Sequence, residues 1–346
     1  MPVYKRRISY RPKQKKATRA LWTVADWVTH WYEHYKEPKH SPTTRQVQWV
    51  YIRLHIAPYF GLKFIHTLTT QDVQEFLNYL AKEGNKSKLK YANNNGNPLA
   101  PWTIKKIRAL LMSSMEAAIK YDLIDKNPVR DTESIPVQTI KVAHFTLEQQ
   151  TKFLEGTKNH RFHVAYQLLF YTGCRRSEVL GLSWNHVDFE NSQINIQQVL
   201  VSINGVPHLK KYPKTKSSVR TIPLHPSLCK LLKQQKKLQE KEEKAATVWK
   251  NKDNLVFCNK DGSYHSPSYF LHNFKAAVRR LGLPKNLRVH STRHSFATNL
   301  LQLGVALSDV QHLGGWADTR VVLEIYSHAV QVSQRKAVQK LFNHTK

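Results

Sequence analysis

Acidic residues are the scarce charge in this chain: 24 Asp and Glu stand against 54 Lys and Arg in 346 residues, a formal net charge of +30 at pH 7. So few carboxylates against so many cations favour a polyanionic partner, because binding one releases its counterions. Cysteine is nearly absent. Cys174, Cys229 and Cys258 are odd in number, far apart and form no CxxC pair, so neither a disulfide framework nor a zinc site is indicated. No apolar run approaches the roughly 18–20 residues of a membrane span. The basic N-terminus is not followed by the apolar stretch of a secretory signal, so the expectation is an intracellular protein with no membrane partner. Glycine (12) and proline (15) are few and 41% of residues are hydrophobic, which argues against wholesale disorder and for packed cores. At this length two domains are the natural expectation.

Residues 1–20 hold eight Lys or Arg and no acid, among them Lys5, Arg6 and Arg7. A run of this kind cannot bury a core, and reads either as a solubilising tail or as a basic arm lying along phosphates. Residues 21–129 read as helical. Trp27, Trp31 and Tyr35 recur at a spacing of four, and Ser41-Pro42 is a helix start. The helix that follows carries Val47, Val50, Tyr51 and Leu54. Thr69 to Asp72 opens another that buries Val73, Phe76, Leu77 and Leu80. A fourth, from about Trp102 to Tyr121, turns Ile104, Ile107, Leu111, Met115 and Ala118 inward. Residues 130–144 lack periodicity and are read as an extended linker. In residues 145–346, Thr146 with Gln149 forms a capping box. Three short strands are expected at Ile194 to Val201, His208 to Lys214 and Val219 to Leu224, with Asn204-Gly205 as the hairpin turn. Helices follow at 226–246, after Ser266-Pro267, and near Ser291, Ser308 and Asp318. The expected fold is mainly α with a small antiparallel β-sheet in the larger, C-terminal domain.

The polar residues of that larger domain suggest chemistry. Arg175 follows Thr172-Gly173-Cys174, with Glu178 one turn on to hold its guanidinium. Lys214 lies in a basic turn that includes Lys216 and leads to Arg220. His290 and Arg293 share a helix face. Trp316 follows Gly314-Gly315, and Tyr326 precedes Ser327-His328. Taken singly, each has a plainer reading: a surface arginine, a solvated loop lysine, a core tryptophan, a helix-surface tyrosine. Together they are the parts for breaking a phosphodiester without a metal. Guanidiniums neutralise the charge that builds on the equatorial oxygens. A side-chain nucleophile conserves the bond for rejoining, and an acid and a base manage the two protons.

The stretches Tyr171-Thr172-Gly173-Cys174-Arg175-Arg176-Ser177-Glu178, Pro213-Lys214-Thr215-Lys216, His290-Ser291-Thr292-Arg293-His294, Leu313-Gly314-Gly315-Trp316 and Tyr326-Ser327-His328, in this order, closely resemble the tyrosine recombinases, or phage-type integrases. The resemblance implies a helical core-type DNA-binding domain followed by an α+β tyrosine-recombinase catalytic domain; the C-terminal tail from about residue 330 reads either as a closing helix on its own domain or, as often in the family, as a segment that packs on a neighbouring protomer. It implies that Tyr326 attacks the scissile phosphate to give a 3′-phosphotyrosyl intermediate, that Arg175 and Arg293 clamp the nonbridging oxygens, that Lys214 protonates the leaving 5′-oxygen, and that His290 acts as acid/base. Glu178 is supporting; Lys5, Arg6, Arg7, Lys216 and Arg220 are expected on DNA. Trp316 stands where many members have histidine, and its indole N–H donates a hydrogen bond but carries no proton. No cofactor and no metal is implied. The expected partners are double-stranded DNA with inverted core sites and a homo-tetramer on synapsed DNA; accessory DNA-bending or excision proteins fit the scheme. The expected setting is the cytoplasm of a phage or bacterial host cell, at the nucleoid. The expected function is a site-specific recombinase that integrates or excises a phage or other mobile element. Two alternatives are a type IB topoisomerase-like enzyme using the same chemistry without synapsis, and a non-catalytic DNA-binding regulator with an integrase fold.

Overall fold

The computed structural model describes residues 22–86, 97–133, 135–136, 143–211, 219–320 and 322–323. The chain divides into two compact units, Met1–Thr139 and Ile140–Lys346, each with its own core.

The first unit is helical. α1 (Val24–Trp31) is capped by Thr23, whose hydroxyl accepts from the Asp26 amide, and it buries Val24, Trp27, Val28 and Trp31. α2 (Pro42–Tyr51) starts on Ser41 with proline at its first position, and continues through a wider turn at Ile52–Ile56 into Ala57–Phe60. That turn decides which face goes inward. Ile52, Ile56 and Phe60 are buried, while Val47, Val50 and Leu54, the row legible from helical spacing, are exposed. A widened turn adds a residue and rotates the helix beyond it, so a face read from Val47 and Val50 does not continue past Tyr51. α3 (Thr70–Glu83) has a reciprocal cap between Thr69 and Asp72, and Lys63 pairs with Asp72. α4 (Pro101–Lys120) buries Ile104, Ile107, Leu111, Met115 and Ala118. Arg108 on α4 donates to the carbonyls of Val129, Arg130 and Thr132, so the chain just past α4 is fastened to this unit.

The second unit is α+β. α5 (Leu147–Gly156) begins with the Thr146–Gln149 reciprocal cap. α6 (His163–Thr172) and the short α7 (Arg176–Leu180) follow. The strands are β1 (Val187–Asp188), β2 (Gln193–Ile196), β3 (Gln198–Ile203), β4 (Val206–Lys211) and β5 (Arg220–Pro223). They form one antiparallel sheet ordered β1-β2-β5 and a separate β3-β4 hairpin. The hairpin turns at Asn204-Gly205, both at positive φ, as an Asn-Gly turn requires. The single strand expected over Ile194 to Val201 is two: the chain changes sheets at Gln197, where the Gln198 side chain leaves to donate to the Gly181 carbonyl (2.7 Å). α8 (Pro226–Ala245), α9 (Pro267–Arg280), α10 (Val289–Gln302) and α11 (Leu307–Gly314) complete the described elements. The core is aromatic, with Phe145, Phe153, Tyr166, Phe170 and Phe274 meeting mostly edge-to-face or tilted. α10 packs on α6, and the Ser295 hydroxyl accepts from the Phe145 amide (2.7 Å), tying the helix to the chain before α5. No helix among the described residues is long and apolar enough to cross a membrane.

Candidate active site

The site forms where the start of α7, the start of α10 and the turn after α11 converge. Local backbone demands explain the glycines there. Gly173 ends α6 at φ +63°, and a Cβ on it would lie 2.4 Å from the Phe296 ring. Gly314 faces the Trp316 ring so closely that a Cβ would stand 1.6 Å from it. These residues let the end of α6 and the turn after α11 approach closely enough for their carbonyls to point at arginines.

Arg293, on α10, is almost fully buried. Its Nη1 donates to the Gly173 carbonyl (2.7 Å) and to the Gly314 carbonyl, and its guanidinium lies over the Trp316 ring, 3.8 Å from the centroid. Its Nη2 is buried with no hydrogen-bond partner among the described residues. Burial first, then the charge of Arg175, pushes the Arg293 pKa down to about 9. The group is therefore still charged at neutral pH, in a place where a charge is costly until an anion arrives.

Arg175 caps α7. Its amide donates to Glu178 Oε2 (2.7 Å), its Nη1 to Glu178 Oε1 (2.8 Å), and its Nη2 to the Gly315 carbonyl (3.4 Å). Its side chain keeps 38% exposure, so it is fixed by its base yet open to a ligand. Burial alone would raise the Glu178 pKa, but the charge and hydrogen bonds of Arg220, with help from Arg175, hold it below the usual carboxylate range. Glu178 is thus an anion inside the protein. Cys174, behind Arg175, is buried and its thiol is pushed up to about 11 by that burial, so it is no nucleophile at neutral pH.

His290 lies at the start of α10 and lines a cavity together with Arg175 and Arg293. Desolvation by the surrounding protein, then the charges of Arg293 and Arg175, lower its pKa, so it is neutral at pH 7 and able to take a proton. His294 packs edge-on against it (4.7 Å between centroids). Burial, then His290, Arg293 and His144, push His294 down to about 3.

A cavity of about 330 Å³ is lined by Cys174, Arg175, Arg176, Ser177, Leu271, Arg288, Val289, His290 and Arg293. The structure therefore brings together Arg175, His290 and Arg293 around one opening, with Glu178 and Trp316 directly behind the guanidiniums. Lys214, Lys216, Tyr326, Lys5, Arg6 and Arg7 lie outside the described residues. Arg220 is a correction. Expected on DNA, it is buried, and its guanidinium is committed to Glu178 and to the Leu313 carbonyl. Spacing along a basic loop cannot distinguish an arginine that faces phosphate from one that has turned inward to a carboxylate. The carbonyls of Gly173, Gly314 and Gly315 were likewise invisible as arginine acceptors, because backbone groups carry no residue signature; the glycines around them were the available signal. Among the described residues, no group of three or more His, Cys, Asp or Glu is placed to hold a metal ion.

Residues 142–332 match the phage integrase family, and residues 23–81 match the phage integrase N-terminal SAM-like domain. A tyrosine recombinase XerC-like protein of Caldanaerobacter subterraneus subsp. tengcongensis is 28% identical over 299 residues, covering 82% of this chain and 72% of that protein. The ICEBs1 integrase of Bacillus subtilis is 24% identical, covering 87% of this chain and 78% of its own. Among solved structures, the Tn1549 transposon integrase in complex with a circular intermediate DNA superposes with a TM-score of 0.75 at 23% identity, over 92% of this chain and 99% of that one. A lambda integrase dimer bound to a COC′ core site gives 0.63 at 16% identity, over 92% and 82%.

Proposed function

This chain belongs to the phage integrase family, and from that membership we propose that it is a site-specific DNA recombinase of the tyrosine type, which cleaves and rejoins DNA to integrate or excise a mobile element. The observation that carries the reading is the pair of guanidiniums: Arg293 is buried with an Nη2 that has no hydrogen-bond partner among the described residues, and Arg175 is braced by Glu178, beside the same cavity. Fixed donors that need no rearrangement when charge develops are what a phosphoryl transition state requires.

In the proposed mechanism the scissile phosphate sits between Arg175 and Arg293, which hold its nonbridging oxygens. The Tyr326 hydroxyl attacks phosphorus, forming the 3′-phosphotyrosyl bond as the bond to the 5′-oxygen breaks. Neutral His290 takes the phenolic proton, and Lys214 supplies a proton to the departing 5′-oxygen. Rejoining runs the same steps backwards with a new 5′-hydroxyl. Trp316 holds the Arg293 guanidinium by its ring face and moves no proton.

The remaining assignments are part of the same proposal. Residues 21–129 form the core-type DNA-binding domain and residues 145–346 the catalytic domain, joined through 130–144. Residues 1–20, with Lys5, Arg6 and Arg7, and Lys216 lie along the DNA backbone. Two protomers occupy inverted core sites, two such pairs form a tetramer, and the tail from about 330 links neighbours.

The test uses supercoiled DNA carrying the region that flanks the gene, incubated in EDTA and quenched with SDS. Wild type is expected to yield a covalent protein–DNA adduct, and Tyr326→Phe to bind DNA with no adduct. An adduct in the mutant would overturn the assignment. Binding without an adduct in wild type would leave a regulator. Joining of two separate sites distinguishes recombination from topoisomerase-like relaxation.

A further inference from the structure

We propose that Arg220 is a positioning residue for this reaction: it locks the Glu178 carboxylate to the Leu313–Trp316 turn and so sets where Arg175 and Arg293 present their guanidiniums. The proposal rests on the reading of those two arginines as the phosphate clamp.

Three successive backbone carbonyls each hold a different arginine. Leu313 accepts from Arg220 Nε (2.8 Å), Gly314 from Arg293 Nη1, and Gly315 from Arg175 Nη2 (3.4 Å). A shift of this turn therefore moves both clamp residues together. Glu178 is shared in the same way. Its Oε1 accepts from Arg175 Nη1 (2.8 Å) and Arg220 Nη1 (3.4 Å), and its Oε2 from the Arg175 amide (2.7 Å) and Arg220 Nη2 (3.0 Å). Arg175 and Arg220 each belong to both sets, and of the two only Arg220 is fully inside the protein. It comes from β5, and its side chain is 1% exposed, so it meets no substrate.

The planar fork is what the position needs. Only a guanidinium can face a carboxylate with two nitrogens while a third donates to a carbonyl on another side. Lysine would keep the charge near Glu178 but would release either the carboxylate or Leu313. Released, the turn carries Gly314 and Gly315 away from the clamp, and a misplacement of about 1 Å can cost roughly 100-fold in rate.

The experiment compares single-turnover adduct formation on two duplexes, with the cleavage position first mapped by wild-type protein on DNA flanking its gene. One duplex carries an ordinary scissile phosphodiester. The other carries a neutral methylphosphonate there, which lessens the need for guanidinium charge. Arg220→Lys and Arg220→Met are measured beside Arg175→Ala, with DNA affinity and thermal melting as checks on folding. Arg220→Lys is expected to bind DNA like wild type and to form adduct roughly 100-fold more slowly on the ordinary duplex. On the methylphosphonate the deficit should shrink to a few-fold, as for Arg175→Ala. If Arg220→Met fails to fold, Arg220→Lys decides alone. Wild-type rates in Arg220→Lys, or an equal deficit on both duplexes while Arg175→Ala shows an unequal one, would overturn the positioning role alone. An equal deficit for Arg175→Ala as well would overturn the clamp reading beneath it.

Discussion

Cations lie over aromatic rings in both units, but in opposite surroundings. In the first unit Lys105 and Lys106 sit 5.6 and 4.8 Å from the Trp102 ring, and Trp102 is 55% exposed. Arg53 similarly covers Trp49 at 4.4 Å. In the second unit Arg293 lies 3.8 Å from the Trp316 ring inside the protein, with two carbonyls fixing its other edge. The same contact is worth about 0.5–1 kcal/mol in water and about 2 kcal/mol or more when desolvated. The exposed cations stay hydrated and screened by salt, and suit adjustable attraction to a phosphate backbone. The buried guanidinium has little freedom left, and suits one phosphate at one moment of the reaction.

The contrast can be broken most forcefully at Arg293. Arg293→Ala is expected to slow adduct formation at saturating DNA by roughly 10²–10³-fold, the scale of losing a transition-state donor, while affinity changes little. A loss of affinity with an unchanged rate would place Arg293 among the ordinary backbone contacts. Next comes Trp316. Trp316→Ala should lower stability by about 3–5 kcal/mol, read in a denaturant melt, because it empties a buried site against Phe296 and Val310. Trp316→Phe keeps a ring under Arg293 and should retain most of both stability and rate, which separates ring from indole N–H.

The same charges set a pH dependence. His290 is depressed below its ordinary 6.5 by desolvation and then by Arg293 and Arg175, so its proton-accepting form persists below pH 6.5. Adduct formation should hold its rate as pH falls to 6.5 and decline only below it. His290→Gln should lower the rate and flatten that decline, and Arg293→Ala should move it upward, since one of the repelling charges is gone. A decline centred above pH 6.5 in wild type would contradict the arrangement. The smallest effect belongs to the first unit. Lys105→Gln with Lys106→Gln should reduce the salt slope of DNA binding by about 2, one phosphate contact for each lysine, and leave the rate on saturated DNA unchanged.

Much of this was legible beforehand because local rules dominate at those places. Ser41-Pro42, Thr69 with Asp72, Thr146 with Gln149 and Asn204-Gly205 each act through neighbours three residues away or fewer, and each element starts or turns there. Arg175, His290 and Arg293 were readable only as an ordered set, and their convergence on one cavity needed the fold. What escaped is non-local. The wide turn after α2 rotates Ile52, Ile56 and Phe60 inward, with no marker residue. The strand break at Gln197 depends on a side-chain bond to Gly181. Arg220 turns away from the solvent because a buried carboxylate 42 residues earlier awaits it, and nothing in its basic neighbourhood announces that.

The most direct test of the account is to find the atom that holds the DNA. The SDS-trapped complex formed in EDTA would be digested with protease and the DNA-linked peptide identified by mass spectrometry, using strands labelled separately at each end. A peptide containing Tyr326 joined through phosphate to the 3′ end of the cleaved strand is expected. A linked peptide lacking Tyr326, or a linkage to the 5′ end, would contradict it.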